Sequence, residues 1–69
     1  MVEVFKTNVQ KKMQSKMLQS SLSKTFPKLK INFDLSDPDK ILRVEGNIIL
    51  PEQIIEATKS NGYHCEILN

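Results

Sequence analysis

The sequence predicts an α+β fold, a four-stranded antiparallel sheet covered on one face by two helices. Two observations carry that prediction. Residues 29–46 alternate apolar and polar side chains in two runs separated by a turn, the pattern of a half-buried β-hairpin. On each side of the hairpin lies a segment whose apolar residues recur every three to four positions, and beyond each segment a short β-rich run. The chain has 69 residues, enough for one small core spanning 1–69 and not for two.

Within the hairpin, Leu29, Ile31, Phe33 and Leu35 are apolar and Lys30, Asn32 and Asp34 between them are polar. Ile41, Leu42 and Val44, with polar Arg43 and Glu45, form the second run and stop at Gly46. Asp37-Pro38-Asp39 is turn chemistry, because Asp bonds backbone amides ahead of it and Pro presets the required φ. A link this short forces antiparallel pairing.

The other elements follow in order. Residues 2–7 read as a strand, with Val2, Val4 and Lys6 facing one way and Glu3, Phe5 and Thr7 the other. Asn8 is the expected N-cap of the first helix. Val9, Met13, Met17, Leu18, Leu22 and then Thr25 or Phe26 mark a helix of about four turns. Phe26-Pro27 ends it, since a residue before proline is pushed out of helical geometry. Asn47 to Leu50 reads as a connector. Pro51 suits a first helical position, Glu52 complements the helix dipole, and Asn61-Gly62 is a stop signal. Tyr63, Cys65 and Ile67 alternate with His64, Glu66 and Leu68 as a last strand. Right-handed crossovers then give the order 4-1-3-2 of a ferredoxin-like βαββαβ sandwich. The expected core is Val2, Val4, Met13, Met17, Leu22, Ile31, Phe33, Ile41, Ile54, Ala57 and Cys65.

The composition, 39% apolar and 26% charged, is that of a soluble globular chain. One cysteine offers no internal disulfide and points to a reducing compartment. No apolar run approaches the roughly 18 residues of a membrane span, and the N-terminus lacks the pattern of a secretory signal. The expected location is the cytoplasm, with no membrane partner. The net charge of +2 hides an asymmetry. Residues 1–30 hold seven lysines against Glu3, whereas residues 31–69 hold three cations against seven carboxylates. Blocks of opposite sign can orient an encounter with a charged partner, although charge patterning is also common as plain solvation.

At this point the chain resembles the heavy-metal-associated domain family, the fold of copper chaperones and of the N-terminal modules of metal-pumping ATPases. The resemblance rests on strand–helix spacing and on Leu22 and Pro27 ahead of Lys30-Ile31-Asn32-Phe33. It also rests on Lys40-Ile41-Leu42-Arg43-Val44 as third strand and on Gly62-Tyr63 before the last. It implies a loop between strand 1 and helix 1 with two cysteines two residues apart, soft thiolates that hold Cu(I). Here that loop reads Lys6-Thr7-Asn8-Val9-Gln10-Lys11-Lys12-Met13, and the cysteine positions fall near Val9 and Lys12. The family's metal ligands therefore carry over to no residue, and no cofactor is expected. The resemblance also implies docking of a basic first helix onto acidic partner domains, a role for which Lys11, Lys12 and Lys16 qualify.

Other residues are candidates for chemistry. Met13 and Met17 could offer thioethers to Cu(I), but methionine on a helix stripe is more often core filling. His64 beside Cys65 looks ligand-like, yet adjacent strand residues point to opposite faces; Cys65 reads as a free core cysteine. Tyr63 either packs over the start of helix 1 or is simply a strand-start aromatic. Asp34, Asp37 and Asp39 lack the glycine bend of a calcium loop. No catalytic triad or phosphate-cradling glycine loop is present, so an enzyme is not expected. RNA-recognition modules of the same topology stack bases on aromatics of the central strands, and here strand 3 has none. The expectation is a protein-interaction module that meets an acidic protein surface or a second copy, not nucleic acid. The alternative is soft-metal binding through Met13, His64 and Cys65.

Overall fold

The computed structural model describes residues 1–68. Its elements are β1 (Val2–Thr7), α1 (Lys12–Thr25), β2 (Lys30–Asp34), β3 (Ile41–Glu45), α2 (Pro51–Ser60) and β4 (Cys65–Ile67). They form an α+β ferredoxin-like sandwich whose antiparallel sheet runs β2-β3-β1-β4, as expected from the sequence. No described helix is long and apolar enough to cross a membrane.

Register decides which side chains meet the helices. Phe33 pairs with Leu42, Leu42 with Phe5, and Phe5 with Ile67, one row across all four strands. Phe5, Leu42, Val44 and Ile31 are buried, and with Val9, Leu18, Leu22, Ile49, Ile54 and Cys65 they form the core. Two expected faces are therefore reversed. Val2 is about half exposed and Val4 and Ile41 only half-buried, on the open side of the sheet. The physical reason is that the Val2–Val4 face also carries Lys6, and the Ile41 face carries Arg43 and Glu45. Burying those charges would cost more than the apolar neighbours return. The opposite face of β3 carries only Leu42 and Val44, and that of β1 carries Phe5 and Thr7 with half-buried Glu3 near its start, so on β1 each face holds one charge and the large Phe5 decides.

Helix α1 shows the same kind of reversal. Its buried residues are Ser15, Leu18 and Leu22, while Met13 and Met17 are each 69% exposed. At 100° per residue Met13 and Met17 lie opposite the Ser15–Leu18–Leu22 stripe, so both sets cannot face the sheet. The branched leucines take the core and Ser15 is satisfied by its own helix, its Oγ donating to Lys12 O at 2.7 Å. Ala57 and Phe33 are half-buried at the margin of the core.

The helix also begins later than expected. Lys11, not Asn8, is the N-cap, and Gln14 Oε1 reaches back to accept from Lys11 N at 3.1 Å. Asn8 instead ties the loop to the far end of the chain, its Oδ1 accepting from His64 N at 2.8 Å. Helix α2 starts on Pro51 and ends into Gly62, which takes φ +93°, a conformation L side chains rarely adopt. In the hairpin turn, Asp37 Oδ1 accepts from Asp39 N at 2.8 Å and Lys40 N donates to Asp37 O at 3.0 Å. Bonds from the Ser36 hydroxyl and then its amide hold the Asp34 carboxyl below its ordinary pKa.

Candidate functional site

The loop joining β1 to α1 is occupied by the chain itself. Thr7 Oγ1 donates to Lys40 O at 2.6 Å and accepts from Val9 N at 3.2 Å. Those bonds turn the Val9 side chain inward, where it is wholly buried. Val9 thus belongs to the core, as its apolar character suggests, but from a loop and not from a helix. Lys12, near the other expected cysteine position, opens α1 in solvent.

The residues weighed for soft metal lie in different surroundings. Met13 projects from the outer side of α1. Cys65 is buried opposite Thr7 on the helix side of the sheet. Burial pushes its thiol pKa up, while the Thr58 hydroxyl and then Lys59 pull the other way. His64 is exposed just before β4, and its backbone amide is bonded to Asn8. His64 and Cys65 border one cleft of about 450 Å³ with Lys6, Asn8, Lys59 and Glu66, and Met13 is not among its walls. Among the described residues no three His, Cys, Asp or Glu side chains gather as ligands. Tyr63 is half-buried against the core in the turn between α2 and β4, its amide donating to Thr58 O at 3.3 Å.

The three lysines expected to meet a partner fare differently. Lys11, Lys12 and Lys16 are all exposed, and none makes a salt bridge among the described residues. Lys11 and Lys12 sit at the N-terminus of α1, which has no acidic residue in its first turn. A helix dipole presents positive partial charge there, so two ammonium groups add to a field that favours anions. Lys12 and Lys16 also border a groove of about 290 Å³ between α1 and β2, with Ser15, Gln19, Phe33 and Leu35. Lys11 stands outside it. The structure therefore brings Lys12 and Lys16 together over an apolar floor, which sequence spacing alone did not reveal. The available signal was the alternation of β2, which leaves Phe33 and Leu35 on the helix side at an edge where only α1 can cover them.

A second exposed surface escaped the sequence reading. Ile48 is 75% and Leu50 53% exposed, and with Phe26, Pro27 and Leu29 they border an apolar groove of about 330 Å³ at the opposite end of α1. The signal was Ile48-Ile49-Leu50 in a connector, where only Ile49 turns inward. The open face of the sheet mixes signs, with Lys6, Lys30 and Arg43 among Asp34, Glu45 and Glu66. Arg43 Nη2 lies 2.9 Å from Glu45 Oε1 on that face. The chain matches no protein-family model, no curated protein and no solved structure.

Proposed function

We propose that this chain is a cytoplasmic protein-interaction module of the heavy-metal-associated type, one that keeps the scaffold without the paired cysteines. It acts by contact and not by catalysis, and it docks an acidic protein surface through Lys11, Lys12 and Lys16. The observation that carries this reading is the placement, at the positive end of α1, of cations that make no salt bridge among the described residues. Lysine there is unfavourable for the isolated helix, and an anionic partner relieves that cost.

The test is charge reversal. Replacing all three lysines with Glu leaves the fold intact, because exposed charges contribute little to stability, and circular dichroism checks this. The same variant loses capture of acidic partners identified by mass spectrometry. Raising salt weakens wild-type capture in the same way, since the Debye length falls from about 10 Å at 0.1 M to about 3 Å at 1 M. Equal capture by both proteins at low salt overturns the reading.

A further inference from the structure

Strand β2 is an edge with its outer side free. It has β3 on one side and no strand on the other among the described residues. The turn, loop and cap bonds of the backbone involve none of residues 30–34. Every residue from Lys30 to Asp34 pairs in unbroken register with β3, so β2 has no bulge to twist it away. The other edge, β4, spans only Cys65–Ile67. Edges are commonly blunted by shortness, bulges, proline or charged side chains; β2 has only the last, Lys30 and Asp34 at its two ends, and both lie on the open face of the sheet. Beside it runs the groove whose floor is Phe33 and Leu35 and whose rim is Lys12 and Lys16.

From these two features together we infer that β2 receives an extended acidic and apolar peptide of a partner protein as an added strand. Main-chain bonds to the free edge supply affinity, and alternate side chains set specificity. On the helix side, alternate residues of the added strand lie against Phe33 and Leu35, so β-branched apolar residues fit there. Carboxylates belong where the strand passes Lys12 and Lys16. This binding mode rests on the docking role proposed above and specifies the partner's chemistry.

A second copy fits less well. Two β2 strands paired antiparallel about Asn32 would set Lys30 opposite Asp34 of the second copy, which is favourable. The same pairing lays the two α1 helices antiparallel and side by side, and each carries Lys12, Lys16 and Lys24 and no carboxylate. Like charges so placed oppose association.

The probe is a fluorescent peptide with a Val/Ile segment of roughly five residues flanked at each end by Asp/Glu residues, so that carboxylates meet Lys12 and Lys16 in either strand direction. Two controls accompany it: the same peptide N-methylated at alternate amides, and an all-acidic peptide of equal charge. Anisotropy at low salt should show saturable binding of the first. N-methylation should weaken it at least about tenfold, because it removes edge hydrogen bonds while keeping charge. Lys12→Glu with Lys16→Glu should weaken it by a similar factor, and amide exchange of residues 30–34 should slow on binding. Equal affinity for the methylated or the all-acidic peptide overturns strand addition yet leaves charge-based docking standing. Unchanged affinity in the double variant overturns both. Absence of saturable binding, or sedimentation as a dimer whose β2 amides are protected without peptide, overturns strand addition alone.

Discussion

Phe5 and Leu42 stand opposite each other on the two central strands, and neither exposes any surface. This pair is the centre of the row that joins all four strands, and both helices close over the layer it belongs to. Phe5→Ala should therefore destabilise by about 3–5 kcal/mol, the usual cost of emptying a buried aromatic site. A domain of this size has about 5 kcal/mol in total, so little folded protein should remain. Val4→Ala, on the open face, should cost less than about 1.5 kcal/mol. Phe33→Ala at the edge of the same row should fall between the two. Urea melts of the three variants check the ranking, and a Val4 variant worse than the Phe5 variant would reverse the face assignment.

The element order and sheet order were legible because the hairpin, the proline and glycine stops and the two helical periods are local signals. The faces of β1, β3 and α1 were harder. Each has apolar residues on both sides, and the choice turns on what else shares a face. Arg43 and Glu45 exclude the Ile41 face of β3, whereas on β1 Lys6 and Glu3 place one charge on each face and only the size of Phe5 decides between them. For α1 the stripe through Ser15, Leu18 and Leu22 was hidden by Met13 and Met17, which look equally apolar. Lys11, Lys12 and Lys16, proposed for docking, are legible as charge. Their groove is not, because it is made by packing α1 against an edge strand distant in sequence.

Met13 and Met17 provide a second check, since both thioethers are in solvent. Dilute peroxide should convert them to sulfoxides rapidly in the folded protein. The melting temperature should move by no more than about 4 °C, because an exposed substitution shifts stability within about 0.5 kcal/mol. Peptide mass mapping against time, followed by a thermal melt, measures both. Slow oxidation accompanied by loss of structure would return the methionines to the core.

Cys65 links stability to alkaline pH. Burial raises its thiol pKa in the folded state, so above the ordinary thiol value of about 8.5 the unfolded chain holds fewer protons than the native one. Stability therefore falls as pH rises through that range, and Cys65→Ala should show a shallower decline than wild type between pH 7 and 10. A disulfide-exchange reagent should label wild type only as fast as the protein unfolds. Immediate labelling, or identical pH slopes for the two proteins, would mean that the thiol is not held neutral by burial.

Ile48 and Ile49 are neighbours with opposite fates: the first is 75% exposed and the second 5%. The backbone alternates as it crosses from β3 to α2, and Gly46 permits the crossing because a side chain there would meet Leu29. Ile49→Ala should thus cost about 2–5 kcal/mol, whereas Ile48→Ser should leave stability within about 0.5 kcal/mol. The serine variant should also be less prone to associate at high concentration, since it removes the most exposed apolar side chain on the patch with Leu50 and Pro27. Parallel melts, with light scattering across a concentration series, distinguish the two positions. If Ile48→Ser is the more damaging substitution, the connector runs in the opposite register and the apolar patch belongs to the core.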